Sequence, residues 1–366
     1  MNINAITEIV NKIIEPSTKL SIENMGIKPR VVFANRELPN VSDDEINVYL
    51  EIGFPCKHLQ NSLLDIIKQE LYQNIPNHTF NIFIEQKIKT HRTQLPGKGL
   101  RNVKNVIAVG SGKGGVGKST LTVNLAVALA KSGARVGILD ADIYGPSIPT
   151  MLGKNGEVEI RNDRYLPVST HGIQAMSIGY LTKNESALIW RGPMLAKSLI
   201  QMLDITMWDN LDYLFIDLPP GTGDIQLSLV QKIPLAGAII VTTPQNIATQ
   251  DARKAMEMFE KTSIYNIGLI ENMSQHVCTK CGNIEDIFGC NGAINLANEY
   301  GSKLLGQIPL NKEIGLDCDN GSPSAGKDAV SDSFIQAAIA GMIELSKRPL
   351  NYADKFPHIT ATSRQI

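Results

Sequence analysis

Residues 110–120 read GSGKGGVGKST, and this glycine-rich stretch lies between a strand-like apolar run at 106–110 and a helix-like run at 119–133. A P-loop requires a strand, a glycine loop and a helix in this order. Because glycine lacks a Cβ atom, successive backbone N–H groups can converge on phosphate oxygens at the positive end of the helix. The stretch therefore predicts a phosphate-binding loop. The candidate binding residues are Gly112, Lys113, Gly114, Gly115, Val116, Gly117, Lys118, Ser119 and Thr120.

Two side chains at the end of this loop have the chemistry that a bound nucleotide needs. Lys118 would reach the β- and γ-phosphates of ATP, and the Ser119 hydroxyl would bind Mg²⁺. The alternative is a glycine turn that only joins a strand to a helix. The Gly-Lys-Ser ending and both flanks favour the nucleotide site.

A further lysine, Lys113, stands near the start of the loop. Lys118 and the backbone amides already hold phosphate within one subunit, so Lys113 needs another explanation. The sequence GKGGVGKST resembles the deviant P-loop of the MinD-like ATPases, a family whose first lysine reaches across a dimer interface to the partner's nucleotide. The resemblance implies a nucleotide-sandwich homodimer with catalytic roles for Lys113 and Lys118. A solvated loop cation is the alternative for Lys113.

The composition is that of an ordinary globular protein with room for two domains, since 43% of the 366 residues are hydrophobic and 19% are charged. A formal net charge of -1 gives no general attraction to nucleic acid or acidic membranes, so we expect neither as a partner. Membrane spans and secretion signals have sequence patterns that we do not find, which predicts a cytoplasmic protein. Five cysteines, an odd number, indicate reduced thiols.

Composition shifts predict four segments along the chain: a small α+β domain at 1–90, a basic linker at 91–104, a P-loop ATPase domain at 105–350 and a polar tail at 351–366. A polyanion site is the alternative for the basic stretch. The first segment resembles a divergent copy of the iron–sulfur assembly domain that often precedes MinD-like cluster carriers. Cys56 stands in that family's cysteine loop, and a small buried residue is the alternative for it.

Six short apolar runs recur between helical stretches after residue 104. Strands this apolar suit a mostly parallel sheet that helices cover on both faces. The predicted fold class is therefore α/β, a P-loop NTPase preceded by the small α+β domain. Ligands of such sheets lie at the carboxyl ends of the strands.

Polar residues follow three of these runs, at Asp140 and Asp142, at Asp217 and at Asn272. The resemblance implies that Asp142 positions the attacking water and that Asp140 and Asp217 lie at the Mg²⁺ site. Carboxylates suit these tasks because phosphoryl transfer needs an oriented water and neutralised charge. Turn caps are the alternative for Asp140 and Asp142. Asn272 resembles the family's adenine-contacting asparagine, although asparagine is also common in turns.

Cys278 and Cys281 form a Cys-x-x-Cys pattern within IENMSQHVCTKCG. Two thiolates at this spacing can hold one zinc ion or one edge of an iron–sulfur cluster. One pair leaves the coordination incomplete, whereas two pairs across a two-fold axis supply four thiolates. The homodimer that Lys113 implies would therefore also complete the ligand set. An intramolecular zinc site with His276, Cys278, Cys281 and Cys290 is the alternative.

Longer stretches, among them LDADIYGPSIPTMLG and YLFIDLPPGTGDIQLSL, are similar to the Mrp/ApbC family of iron–sulfur cluster carrier ATPases over about residues 104–326. The similarity implies an ATPase that uses ATP and Mg²⁺, holds a labile bridging cluster, expected to be a four-iron cluster, in a homodimer, and exchanges it with assembly scaffolds and apo-proteins. A MinD- or ParA-like positioning ATPase is the alternative. Cys290 and Cys318 are expected to be small buried residues without a function of their own.

Overall fold

The computed structural model describes residues 3–33, 45–143, 145–154, 158–181, 192–278, 280–328 and 330–351. Most of the predicted polar tail lies outside the described residues, as does Thr279 within the Cys-x-x-Cys pattern.

Helices and strands alternate along most of the described chain. The helices are α1 (Ile3–Lys12), α2 (Gln60–Asn74), α3 (Lys118–Lys131), α4 (Ile148–Met151), α5 (Gly192–Ile205), α6 (Asp224–Lys232), α7 (Asn246–Lys261), α8 (Gly292–Glu299), α9 (Lys312–Asp319) and α10 (Asp332–Ser346). The strands are β1 (Pro29–Phe33), β2 (Glu45–Ile52), β3 (Thr79–Gln86), β4 (Val103–Ser111), β5 (Val136–Asp140), β6 (Ile160–Arg161), β7 (Arg164–Tyr165), β8 (Val168–Thr170), β9 (Ile173–Ser177), β10 (Leu211–Asp217), β11 (Gly237–Thr242), β12 (Asn266–Val277), β13 (Ile284–Glu285) and β14 (Leu304–Leu310).

The larger sheet has nine strands within the described ranges, in the order β13-β12-β11-β4-β10-β5-β9-β8, with β14 also paired to β12. The pairs from β12 through β9 are parallel, while β8 and β13 pair antiparallel at the two ends. Every residue of β5, β10 and β11 is buried. Such strands need helices on both faces. The predicted α/β fold with a mostly parallel sheet is confirmed.

Apolar side chains fill both faces of this sheet. One core cluster includes Leu125 of α3 and Phe334 of α10. The other includes Leu199 of α5, Leu229 of α6 and Met256 of α7. Burial of these two layers fixes the strand order, and the strand order decides which strand ends become neighbours.

The N-terminal segment has its own three-stranded sheet, in the order β1-β2-β3, whose buried side chains form a core with those of α1 and α2. Buried and half-buried residues alternate strictly along β2, because one face of the sheet meets that core. The segment contacts the larger unit where the Lys57 amide donates to the Ser132 carbonyl at 3.1 Å and Gln86 Nε2 donates to the Gly133 carbonyl at 2.9 Å. The domain boundary near residue 90 stays a prediction.

The stretch predicted as a basic linker is attached to the larger unit at its start. His91 is only 2% exposed, and its Nδ1 lies 3.0 Å from Asn105 Oδ1. The Arg92 amide donates to the Pro349 carbonyl at 3.0 Å, and the Gln94 side chain donates to carbonyls at the end of α6. The segment is therefore packed here rather than fully solvated.

The P-loop strand β4 lies in the middle of the large sheet, between β11 and β10. At the end of β10, Asp217 is in register with Val109 of β4 and with Asp140 of β5. Parallel pairing thus brings the glycine loop and the acidic strand ends to one edge of the sheet.

Candidate functional site

The P-loop joins β4 to α3 with a backbone that depends on glycine at two places. Gly117, directly before α3, has a φ of 81°, in the left-handed region that favours glycine. At Gly112, a Cβ atom would lie 2.0 Å from the backbone carbonyl carbon of Asp251 in α7. Any side chain at position 112 would therefore push the loop and α7 apart.

A dense polar network joins the start of α3 to the end of β10. The Ser119 hydroxyl donates to Asp217 Oδ2 at 2.6 Å, and the Thr122 hydroxyl donates to Asp217 Oδ1 at 2.7 Å. Lys118 Nζ lies 2.9 Å from Asp217 Oδ2 and 3.9 Å from Asp142 Oδ2. The Asp217 and Lys118 side chains are 0% and 6% exposed. A buried carboxylate with this many charge-assisted partners is held in a defined position.

Asp140 and Asp142 lie beside this network. Asp140 is 1% exposed, accepts a hydrogen bond from the Ser177 hydroxyl at 2.9 Å and another from the Asp142 amide at 3.1 Å. Burial, and next the negative charge of Asp217, raise the pKa of Asp140 above its usual range. The raised pKa of Asp140 shows that two neighbouring buried carboxylates resist being charged together, a repulsion that a bound cation would relieve.

The donor set fits the magnesium nucleotide that the loop predicts. Mg²⁺ prefers hard oxygen ligands, which the Ser119 hydroxyl and the carboxylates of Asp217 and Asp140 provide. The amino end of α3 and the loop amides suit phosphate oxygens. Thr120 follows Ser119 on α3 and is half-buried, and Lys113 is also half-buried. Within the described ranges no ion pair involves Lys113, so its ammonium group has no carboxylate partner there.

Asn272 contacts the P-loop itself. Its Nδ2 donates to the Val116 carbonyl at 2.9 Å, and the residue is 7% exposed. A Cβ atom at Gly117 would lie 2.2 Å from the same Nδ2. The contact with adenine that the family resemblance implies stays a prediction.

Cys278 and Cys281 lie at the tip of a hairpin that extends from the large sheet. β12 and β13 pair antiparallel at His276–Glu285 and Val277–Ile284. The Cys278 amide donates to the Asn283 carbonyl at 2.8 Å, and the Gly282 amide donates to the Cys278 carbonyl at 2.8 Å. These bonds hold the tip closed and leave the Cys281 side chain exposed and the Cys278 side chain half-buried.

The two thiols lie close enough to interact. Hydrogen bonds from the backbone amides of Lys280 and Cys281, followed by one from the Cys281 thiol, lower the pKa of Cys278. A lowered thiol pKa favours the thiolate, which is the form that binds metal. The pair can therefore supply two soft ligands from one surface loop.

The remaining cysteines differ from one another. Burial raises the pKa of Cys56 to about 11, which favours its interpretation as a small buried residue. Cys318 is buried as expected, but Cys290 is exposed, so the expectation of burial was wrong for Cys290. It precedes α8 in a surface loop, where no packed element covers it.

Across the described residues, no three His, Cys, Asp or Glu side chains converge as a metal site. The alternative zinc ligand set of His276, Cys278, Cys281 and Cys290 is thus not assembled within the described part of one chain.

Two residues of the polar network around Asp217 and Asp140, namely Thr122 and Ser177, were missed in the sequence analysis. Thr122 lies one helical turn after Lys118, so the helix periodicity could have placed it beside the loop. Ser177 ends β9, whose place next to β5 no local pattern indicates. No helix in the described part of the chain is long and apolar enough to cross a membrane.

The comparisons with known proteins agree with this geometry. Residues 102–344 match the ParA family described as the NUBPL iron-transfer P-loop NTPases. The iron-sulfur cluster carrier protein of Salmonella typhimurium is 48% identical over 288 residues, which cover 77% of each chain. The carrier of Aquifex aeolicus is 40% identical over 90% of this chain and 96% of its own.

Among solved structures, a nucleotide-binding protein from Archaeoglobus fulgidus in complex with ADP is 40% identical, with a TM-score of 0.54. The match covers 60% of this chain and 87% of that one. The fold and the site define a nucleotide-binding P-loop NTPase. The chain belongs to the iron-transfer P-loop NTPase family that includes the iron–sulfur cluster carriers.

Proposed function

We propose that this protein is an ATP-hydrolysing carrier that holds a labile iron–sulfur cluster between two copies of the chain and transfers it to apo-proteins. The observation that carries the proposal is the position of the two thiols. The Cys278–Cys281 hairpin extends from β12, the strand whose Asn272 contacts the P-loop. The family membership and the similarity to iron–sulfur cluster carriers support carriage of a cluster.

The surface around the thiols supports a homodimer. Val277 and Ile284 are cross-strand neighbours on the hairpin, and they are 47% and 60% exposed. Two hairpins that meet at a two-fold axis would bury these apolar side chains and bring four thiolates together, the number that a cluster requires. Lys113 would then be available to the partner's nucleotide.

ATP hydrolysis at this site would depend on orientation and charge. Lys118 would leave Asp217 for the phosphoryl oxygens, and Asp142 would accept a hydrogen bond from the attacking water and orient it. Ser119, Asp217 and Asp140 would hold Mg²⁺, which supplies positive charge against the developing negative charge of phosphoryl transfer. Lys113 of each copy would add charge stabilisation at the other copy's phosphates.

Anaerobic reconstitution with iron and sulfide tests the cluster. We expect about four iron atoms per two chains, because four thiolates hold one four-iron cluster. Cys278→Ala and Cys281→Ala should abolish loading and leave nucleotide binding intact. Cys290→Ala is the matched control, since it removes an exposed thiol outside the pair. One tightly held zinc ion per monomer would contradict the proposal.

Turnover of ATP tests the other half of the proposal. Lys118→Ala should remove hydrolysis, and Lys113→Ala should impair it while each subunit still binds nucleotide. Lys254→Ala, on the exposed face of α7, is the control. A Lys113→Ala protein with wild-type turnover would show that the lysine does not act across a dimer.

A further inference from the structure

One strand, β12, links the P-loop to the Cys278–Cys281 hairpin. Asn272 lies near its middle, and Cys278 follows six residues later, directly after the strand ends. An extended chain rises about 3.3 Å per residue, so the two sites are separated by a short piece of backbone. The way in which the backbone of residues 272–278 is held and bent determines whether the two sites can influence each other.

The P-loop end of this piece is held firmly. Asn272 Nδ2 donates to the Val116 carbonyl, and it would meet a Cβ atom at Gly117 at 2.2 Å. The Met273 methyl carbon lies 3.9 Å from the same Cβ position. Gly117 is followed at once by Lys118. A shift of this loop turn would therefore displace Asn272 or break its hydrogen bond.

The hairpin end is held as well, because His276 and Val277 pair with β13 and the Cys278 amide bonds to Asn283. His276 is also in register with Leu310 of β14. The thiols therefore follow any rotation of the hairpin about β12.

Between the two ends, the strand has a bulge. Asn272 pairs with Ile308 and His276 with Leu310, so residues 273–275 of β12 lie opposite one residue of β14. Met273 has a φ of 54°, in the left-handed region that side chains other than glycine rarely adopt. The Ser274 hydroxyl holds the bulge to the Ile308 carbonyl at 3.1 Å. Bulges of this kind bend and twist a strand.

We propose that Asn272 is a positioning residue that transmits the nucleotide state of the P-loop through the Met273 bulge to the Cys278–Cys281 hairpin, and so controls how readily the cluster is released. This inference rests on the proposed function. A P-loop that closes on ATP moves the Val116 carbonyl, Asn272 follows it, and the bulge converts that displacement into a rotation of the hairpin.

The test measures cluster release from the reconstituted full chain to a ferrous-iron chelator, with and without saturating ATP. We expect ATP to change the wild-type rate by at least ~5-fold, the lower end of ordinary coupling between two sites, and the Asn272→Ala rate by less than ~2-fold. Asn295→Ala, an exposed asparagine of α8, is the control and should retain the wild-type response. Met273→Gly, which relaxes the left-handed bulge, should also weaken the response.

A second readout does not need the cluster. Hydrogen exchange at the Cys278 and Gly282 amides, both of which are bonded within the hairpin, should change on ATP binding in the wild type and not in Asn272→Ala. An Asn272→Ala protein with the full ATP response would overturn the inference. The inference would also be overturned if the Asn272→Ala protein lost the preference for ATP over GTP, because Asn272 would then contact the base. A wild-type protein that loads no cluster would instead overturn the proposed function.

Discussion

Gly115 and Gly117 form a matched pair for measuring how tightly the P-loop is packed against β12. Their φ angles are 79° and 81°, so an alanine at either position meets the same left-handed penalty of about 1 kcal/mol. Both substitutions also reduce the freedom of the unfolded chain equally. The environments differ, since a Cβ atom has no neighbour within 4 Å at Gly115 but lies 2.2 Å from Asn272 Nδ2 at Gly117.

The difference in stability follows from that contact. Ordinary contacts begin near 3.4 Å, so the Asn272 amide would have to move by about 1.2 Å. This movement breaks its 2.9 Å hydrogen bond to Val116, which costs about 1 kcal/mol. Overpacking of a buried site costs about 1–3 kcal/mol, and the low end, about 1 kcal/mol, applies here because the contacted atom, Asn272 Nδ2, is the end of a side chain that can rotate. We expect Gly115→Ala to lower the free energy of unfolding by about 1 kcal/mol and Gly117→Ala by about 3 kcal/mol.

Urea unfolding followed by circular dichroism, without nucleotide, measures both values. In an Asn272→Ala background the Gly117→Ala change should fall to about 1 kcal/mol, which gives a coupling energy near 2 kcal/mol in the double-mutant cycle. Equal losses for the two glycine variants, or strict additivity with Asn272→Ala, would refute this account of the loop.

Three further predictions concern groups away from the phosphates. Burial lowers the pKa of His91. Its contribution to stability should therefore be fully present above the unfolded-state pKa of about 6.5 and be lost as pH falls through the folded-state pKa. The urea midpoint should depend less on pH in His91→Gln than in the wild type, and an unaltered pH dependence would contradict this. Limited alkylation at neutral pH should label Cys278, whose pKa is lowered, and should spare buried Cys56 until the protein unfolds, as mass spectrometry of the labelled peptides can show. Replacing the exposed Val277 and Ile284 together by serine should weaken the proposed dimer without lowering monomer stability. If analytical ultracentrifugation gave the same dimer dissociation constant for this variant and the wild type, that result would count against the hairpin as the interface.

Short local sequence patterns were enough to predict the P-loop, the fold class and the cysteine pair. The P-loop could be read from the sequence because its strand, loop and helix are consecutive, and because glycine, lysine and serine at fixed spacing have few other uses. The α/β fold followed from apolar runs that suit buried parallel strands. The Cys-x-x-Cys pair was visible for the same reason, since both cysteines lie within one short loop.

The hydrogen bonds that these residues make with residues far away in the chain could not be predicted from the sequence. Thr122 and Asp217 are 95 positions apart, and Asn272 and Val116 are 156 apart. These pairs meet only because β4 lies between β10 and β11, with β12 one strand further on. Burial of apolar side chains on both faces sets that order, and no short stretch of sequence encodes it. The sequence by itself determined which groups can bind phosphate and soft metals, because those properties belong to individual residues and short spacings. Only the tertiary structure decided that Asp217 closes the Ser119 network and that the strand with the cysteine hairpin rests on the P-loop, because both depend on strand order and register.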